Sequence, residues 1–583
     1  MRQWMVAAKK ADFYAIAEKF HVDPVVARII RNREVIGEKN IRIYLGGNLS
    51  DLSDPHQMKD MDRLVEILAQ KIRKQVHIRI IGDYDVDGVT SSHLFLTALR
   101  RVGAKVDVVI PHRIQDGYGL SLHLLQQAKE DGVDTILTCD NGIAAIDEIA
   151  WAKAQKMTVL VTDHHAVPFE EHEGRRTEKK SLADAVVNPH QQDCRYPYKE
   201  LCGAGVAWNV IRVLYENYDM DKREAEDLLD FVAMATVCDV MSLTEENRIL
   251  VKEGLKRIRH TKNIGLQALM QACNVQPENI SAYHFGYVLG PCVNATGRLD
   301  TARHALRLFE TGQETEAEEI ARDLVDLNQE RKELTLQGVE MAKKLCEEGG
   351  YENDPVLVLF LPDVHESIAG LIAGRIREMY NRPVFVLTRG EEGVKGSGRS
   401  TENYSMYENM CGCAELFTKF GGHPMAAGLS LPEENVEKFR RKINENCPLT
   451  VEEVCPDIHI DMAMPVGYAS TELVHQFALL EPFGKDNPSP LFADRNLSIS
   501  RMWLIGKNRN VLRMSVLSEY GQPVPVIFFG DVETLFAYFT EKFGQEEVEN
   551  ALHGRKNRIL FSMVYTAKID FYQGNENPQL EMK

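Results

Sequence analysis

The chain has no run of about eighteen apolar residues, which excludes a membrane-spanning helix. It has no Cys-x-x-Cys pair among its eleven cysteines, and Cys411-Gly-Cys413 is the tightest spacing, so a structural zinc site is not expected. Several cysteines, such as Cys139 and Cys238, lie in apolar runs and read as reduced, buried thiols. Met1 to Lys10 contain no apolar leader segment, and with the reduced thiols this gives a cytoplasmic expectation. Basic charge is not in excess: 68 Lys and Arg stand against 86 Asp and Glu, a net charge of -18. That balance excludes a protein that coats nucleic acid with its whole surface, and leaves room for a local basic groove. Gly-Lys-[Ser/Thr] is missing from both glycine-rich turns, so there is no Walker A loop and ATP hydrolysis is not expected. Gly203-Ala-Gly205 lacks the third glycine of a dinucleotide turn, because Trp208 holds its place, and no strand precedes it.

What is present starts at Ile81-Gly-Asp-Tyr-Asp-Val-Asp-Gly88. An apolar run, 77–81, reads as a strand. Asp83, Asp85 and Asp87 follow at alternate positions. Alternate residues of an extended chain share a face, so at least two of these carboxylates converge. Their mutual repulsion calls for a cation, and hard oxygen donors favour Mg²⁺, Mn²⁺ or Ca²⁺. A calcium-binding EF-hand loop is excluded, since Leu94 stands where its twelfth-position glutamate belongs and a strand, not a helix, comes before. Thr90 and Ser91 are possible N-caps of a helix over 92–102.

At roughly 150 residues per domain, 583 residues suggest about four units. Residues 1–54 have a helical pattern and no chemistry, which gives an N-terminal cover. From 77 the pattern alternates: strands at 77–81, 106–110, 135–139, 158–162 and 185–187, with amphipathic stretches at 92–102, 120–131 and 144–156. Alternation of this kind builds a doubly wound parallel sheet, which binds ligands beyond the carboxyl ends of its strands. Each of those ends is polar. After the aspartates come Pro111-His112-Arg113, Asp140-Asn141-Gly142, Asp163-His164-His165 and Asn188-Pro189-His190. Adjacent residues at a strand end point to opposite sides, so one histidine of the pair is a ligand and its neighbour faces substrate as a general acid. Carboxylates with one imidazole suit two Mn²⁺ or Mg²⁺ ions about 3.5–4 Å apart, and the chemistry that follows is hydrolysis of a phosphate ester.

Further along, a helix over 225–238 delivers Asp239, and 289–298 reads as a turn-rich stretch ending in Arg298, a candidate phosphate ligand. A charged helix, 314–349, connects to a second, smaller α/β unit with strands at 355–361 and 383–388 around a helix at 367–380. Two glycine-rich turns, Lys395-Gly-Ser-Gly-Arg-Ser400 and Gly421-Gly-His-Pro424, form a plausible anion cradle. Strand-like runs at 457–462, 496–504, 510–517, 524–529 and 558–565, with a helix at 531–543, fit a barrel of the OB type. Arg501, Lys507, Arg509 and Arg513 flank Trp503 on its strands, a pattern suited to single-stranded nucleic acid.

Gly82-Asp-Tyr-Asp-Val-Asp-Gly88, Thr138-Cys-Asp-Asn-Gly142, Thr162-Asp-His-His165 and Ala235-Thr-Val-Cys-Asp239 resemble the four motifs of the DHH phosphoesterase family. Gly396-Ser-Gly-Arg-Ser400 and Phe420-Gly-Gly-His-Pro-Met-Ala-Ala-Gly428 resemble its DHHA1 domain. Val186-Val-Asn-Pro189, Leu201 to Val206, Asn294-Ala-Thr-Gly-Arg298 and Pro482-Phe-Gly-Lys-Asp-Asn-Pro488 resemble the family's single-strand-specific DNA exonucleases. The similarity runs in the family's order from about Tyr44 to about Phe529. It implies five segments: a helical cover (1–54), a DHH catalytic domain (55–313), a connecting helix (314–349), a DHHA1 domain (350–450) and an OB-fold domain (451–583). The implied activity is 5′→3′ hydrolysis of single-stranded DNA to 5′-mononucleotides, in DNA repair and recombination.

The resemblance makes Asp83, Asp85, Asp87, Asp140, His164 and Asp239 ligands of two divalent ions, Mn²⁺ or Mg²⁺. It makes Asp163 and His165 the catalytic pair, with His165 against the scissile phosphate. Arg113, Ser397, Gly398 and Arg399 would hold the 5′ end, and Asn294, Arg298 and His423 the backbone. It also implies an active-site cleft between the two α/β units, ringed by the barrel, and a monomer acting with a single-strand-binding protein and a helicase. The stretch Asp363-Val-His-Glu-Ser-Ile-Ala-Gly370 departs from the family's Asp-Trp-His-Glu-Gly, which puts substrate preference there in question, and no accessory domain is expected after the barrel. A DHH phosphodiesterase for short oligonucleotides or cyclic dinucleotides shares both α/β units but not the barrel. An inactive replication scaffold of the same descent would have lost metal carboxylates, and here all are present.

Overall fold

The computed structural model describes every residue except 1–3, 113–118, 173–174, 300, 352, 391–392, 455–456, 507–509 and 573. It divides into two compact units. One holds residues 52–241 and 250–456, and the other holds 3–51, 242–249 and 457–583.

The first unit begins with a five-stranded sheet: β1 (Ile78–Ile81), β2 (Val106–Val109), β3 (Thr135–Cys139), β4 (Thr158–Thr162) and β5 (Ala185–Val187). Every pairing is parallel, in the order β2-β1-β3-β4-β5. β1 and β3 are buried at every residue, as a sheet covered on both faces requires. Chain direction across the sheet reverses between β1 and β3, the place where an open α/β sheet leaves a crevice. Helix α1 (Val86–Arg101) follows β1, and the helices α2 (Gly203–Asn217), α3 (Leu229–Cys238), α4 (Ile264–Ala272) and α5 (Gly290–Leu299) come after the sheet.

Two local expectations are corrected. α1 starts at Val86, six residues before the predicted start at 92, because the Asp85 carboxylate accepts from the Gly88 amide and caps the helix itself. Thr90 is therefore inside the helix, its hydroxyl donating to the Val86 carbonyl. The stretch 289–298 is also a helix, not a series of turns. A π-helical segment, Phe285–Leu289, leads into α5, and the glycines in α5 answer to packing: a Cβ on Gly297 would lie 2.5 Å from the Tyr84 carbonyl oxygen.

The long helix α6 (Glu314–Glu348) leads to a mixed sheet of β6 (Leu357–Phe360), β7 (Val384–Gly390), β8 (Gly393–Arg399), β9 (Lys419–His423) and β10 (Ala426–Leu431), in the order β9-β10-β8-β7-β6. Helix α7 (Glu366–Tyr380) packs against it. Both predicted glycine-rich turns are strands. β8 runs between β7 and β10 with its backbone in two ladders, so its amides are not open to an anion. The glycines there allow close approach: a Cβ on Gly398 would lie 2.8 Å from the Phe385 ring.

In the second unit, β11 (Phe492–Ile505), β12 (Val511–Leu517), β13 (Pro523–Phe528), β14 (Leu560–Tyr572) and β15 (Asn575–Met582) form a closed barrel. β11 pairs with both β12 and β14, and β15 bridges β13 and β14. The polar run Asn575–Met582 gives no apolar signal, so the sequence misses this strand and counts the run at 457–462 in its place. The N-terminal segment belongs to this unit. Trp4–Val6 pairs with Ile458–Ile460, and Val26, Ile29, Ile30 and Tyr44 share one apolar cluster with barrel residues such as Phe492, Met514 and Tyr565. Arg248 joins three segments of the unit: its guanidinium donates to the carbonyls of Tyr44, Leu479 and Leu480 at 2.8–2.9 Å and lies 3.9 Å over the Tyr44 ring.

Candidate active site

The chain turns out of the sheet at four neighbouring strand ends, and the polar residues of those turns meet on one rim. Asp83 and Asp85 follow β1. Asp140 follows β3 in a left-handed conformation (φ 62°) that aspartate tolerates better than most residues. Asn141 donates to the carbonyls of Ile81 and Cys139, tying β1 to β3 where the crevice opens. Asp239 is the C-cap of α3.

Ligand atoms gather in three overlapping groups, each with its atoms within 4.8 Å of one another: Asp83, Asp85 and Asp140; Asp87, His164 and Asp239; and Asp140, His164 and His165. His164 Nε2 lies 3.1 Å from Asp140 and 3.6 Å from both Asp87 and Asp239. Asp87 is not on the extended face with Asp83 and Asp85. It sits in the first turn of α1, where its carboxylate accepts from the Gly203 and Ala204 amides at 2.6 and 2.7 Å. The amino end of α2 thus grips it. The sequence reading singled out the Leu201–Gly205 turn without this role; its small residues next to a helix start were the available signal. A Cβ on Gly203 would lie 2.6 Å from the Asp140 Cβ, so only glycine lets the two elements meet.

The donor set fits a pair of hard divalent cations. Asp83 is fully buried and neither of its carboxylate oxygens makes a hydrogen bond. Burial, then the Asp85 charge, push its pKa well above the usual range, and the nearby amides of Tyr84 and Gly119 offset only part of this. Burial and the surrounding aspartates raise Asp140 in the same way, and burial with Asp87 raises Asp85. Carboxylates so crowded need positive charge among them. Burial lowers His164, leaving a neutral imidazole, the form that binds a metal.

His164 and His165 do not diverge as expected. Their ring centres are 4.4 Å apart, because β4 has already ended at Thr162 and strand alternation no longer applies. Asp163 is sealed from solvent. One of its oxygens accepts from the amides of His164 and His165 and lies 2.8 Å from His165 Nδ1, and the other accepts from the Ile143 amide. It orients His165 and does not itself face the rim. Burial disfavours charge on His165, but the Asp163 hydrogen bond and the neighbouring carboxylates outweigh it and raise the imidazole to about 9.

The other predicted residues are more dispersed. Asn294 accepts from the Val86 amide at 3.1 Å, linking α5 to the metal loop. Arg298 donates to the Ser367 carbonyl at 2.5 Å, linking α5 to the start of α7. Ser397 lines a cavity of about 350 Å³ with Ser367, Lys395 and Lys419, two lysines that the sequence reading did not assign. A Cβ on Gly370 would lie 2.9 Å from the Arg399 guanidinium, and Arg399 donates to the Gly398 carbonyl. His423 is exposed at the end of β9. Arg113, Lys507 and Arg509 lie outside the described residues. In the barrel, Arg501 and Arg513 lie 5.7 and 5.9 Å from the Trp503 ring centre.

Comparisons with known proteins agree with this chemistry. Residues 77–236 match the DHH family N-terminal domain, 353–447 the DHHA1 domain and 460–583 the RecJ OB domain. The single-stranded-DNA-specific exonuclease RecJ of Haemophilus influenzae is 34% identical over 518 residues, covering 85% of this chain and 88% of its own. The chain belongs to the RecJ family. The RecJ of Bacillus subtilis is 33% identical over 512 residues, 87% of this chain, and the chain spans 63% of that relative's length. A crystal structure of RecJ from Thermus thermophilus in complex with Mn²⁺ shares the fold: TM-score 0.80 at 24% identity, covering 100% of this chain and 78% of that one. Membership in the RecJ family accounts for both α/β domains and the barrel in one chain. Among the described residues, no helix is long and apolar enough to cross a membrane.

Proposed function

We propose that this chain is a metal-dependent exonuclease that hydrolyses single-stranded DNA from its 5′ end and releases 5′-mononucleotides. The observation that carries the reading is the cluster of five aspartates and His164 at the crevice of a RecJ-family chain. Asp83, Asp85 and Asp140 would hold one divalent ion, Mn²⁺ or Mg²⁺, and Asp87, His164 and Asp239 a second, with Asp140 close to both. Bound there, the ions would polarise the scissile phosphate and lower the pKa of the attacking water.

The protein side chains do the rest. The α2 amides and the Asp85 cap hold the loop that presents the carboxylates, so the ligands are arranged before substrate arrives. His165, charged and oriented by Asp163, offers a proton and a positive charge to a phosphate oxygen at the rim. Arg298, held at the Ser367 carbonyl, and the cavity with Ser397, Lys395 and Lys419 provide phosphate contacts away from the metals, and Arg399 with Arg113 completes a clamp for the 5′ end. Trp503, Arg501 and Arg513 give the barrel a stacking surface for the strand. A free single strand has to be exposed before it is digested. A helicase and a single-strand-binding protein are the partners this requires, in the cytoplasm, with the enzyme as a monomer.

The test offers a labelled single strand, the matching duplex and a dinucleotide, with Mn²⁺ and again with a chelator. The expected result is mononucleotides from the single strand only, counted from the 5′ end and only with metal. Digestion of the dinucleotide alone would overturn the substrate assignment.

A further inference from the structure

The helix α5, which carries Asn294 and Arg298, also carries Cys292, and its thiol meets another. Cys292 Sγ lies 3.7 Å from the Sγ of Cys273, the residue that ends α4. Neither cysteine touches the metal cluster. Cys292 is sealed (2% exposed), whereas Cys273 is partly open to solvent, so one thiol of the pair can meet a small reagent and the other can be reached only by its neighbour. The surroundings are polar. Asn328, on α6, donates to Cys292 Sγ at 3.3 Å and accepts from Arg331 at 3.1 Å. A hydrogen bond from the Cys292 thiol, and then the charge of Lys332, lower the Cys273 pKa against its burial. The partly open sulfur is thus the nucleophile and the sealed one the resolving thiol.

We propose that Cys273 and Cys292 are an oxidation site at which a hydroperoxide forms an intramolecular disulfide, and that this bond slows the nuclease by moving α5. In the first step the Cys273 thiolate attacks one peroxide oxygen; the O–O bond breaks, hydroxide leaves, and Cys273 becomes a sulfenic acid. In the second the Cys292 sulfur attacks the sulfenic sulfur, the S–S bond forms, and the Cys292 proton leaves with the hydroxyl as water. Two thiols and one hydrogen peroxide give one disulfide and two waters. The sulfurs must close from 3.7 Å to about 2.05 Å. Cys292 then gives up its contacts with Asn328 and the Val288 carbonyl, and the strain falls on the helix that holds the Val86 amide and the Ser367 carbonyl through Asn294 and Arg298. The slowing of the nuclease rests on the function proposed above; the cross-link does not.

The experiment treats the full chain with hydrogen peroxide in the presence of a chelator, removes both, restores Mn²⁺ and follows two readouts. Peptide mapping without reductant should show a Cys273–Cys292 cross-link that a dithiol reverses. Digestion of single-stranded DNA should fall severalfold and recover with the same dithiol. Cys273→Ser should digest DNA normally and keep its rate through the treatment, and Cys292→Ser should give no cross-link. Absence of the cross-link in the oxidised wild type would overturn the site. An equal loss of activity in wild type and Cys273→Ser, or no loss in a cross-linked wild type, would overturn the effect on the nuclease. A reduced wild type inert on every single strand would count against the nuclease reading, with the cross-link still open to judgement.

Discussion

At the residue scale, the site is a set of carboxylates that cannot all be charged and buried together without a cation. Asp140 belongs to two of the three ligand groups and lies 3.1 Å from His164 of the third, so Asp140→Ala should lower single-strand digestion by more than about a hundredfold, beyond the range for residues that only support a metal ligand, with circular dichroism unchanged. Near-normal digestion would sink the metal assignment. Asp230 makes a separate prediction. It is buried at the start of α3, accepts from the Thr261 hydroxyl at 2.6 Å, and burial raises its pKa from 3.8 to about 6. Across that window the folded chain binds more proton than the unfolded chain, so stability falls as pH rises through it. Two pKa units correspond to about 3 kcal/mol. Between about pH 4 and pH 7, the wild type should lose up to about 3 kcal/mol more unfolding free energy than Asp230→Asn, as read by denaturant melts at both pH values; equal slopes would refute this. The aspartates were legible in the sequence because alternate spacing and strand-end position speak for themselves. The division of labour between Asp163 and His165 was not, since it depends on which oxygen meets which amide.

At the element scale, the sequence located most strands and helices of the parallel sheet, and strands 135–139, 158–162 and 185–187 agree to the residue. It failed where a side chain or a glycine overrides local pattern. Thr90 and Ser91 looked like caps, but Asp85 caps α1 one turn earlier. Gly290, Pro291 and Gly297 looked like turns, but the two glycines let α5 pack tightly on its neighbours. The glycines of β8 were misread for the same reason. Gly203 makes this testable: a methyl there meets Asp140, and a shift of about 1 Å in a reacting group costs on the order of a hundredfold in rate. Gly203→Ala should therefore lose about that much turnover while binding a single strand normally in filter or polarisation assays.

At the scale of the whole molecule, an acidic chain handles an acidic polymer through local groups. Trp503→Ala should weaken single-strand binding by about 1–3 kcal/mol and leave the cleavage rate of bound DNA nearly unchanged. The second unit is assembled from three separate stretches of chain, and Arg248 holds them at one point. Arg248→Met removes a donor from three carbonyls, of which Leu480 keeps another, the Asn487 amide at 2.9 Å, and should cost about 3 kcal/mol of that unit's stability, visible as an earlier melting transition. No local pattern announces such a unit, because the N-terminal helices and their packing partners are some four hundred residues apart in sequence. That separation sets the order of synthesis. The helices between Phe13 and Gly46 emerge with their apolar faces unmatched, and the barrel they pack on is not closed until Asn575–Met582 has been made. The catalytic unit can fold on the ribosome while the N-terminal helices wait, exposed to chaperones. A strand made more than five hundred residues later is the one that lets those helices find their place.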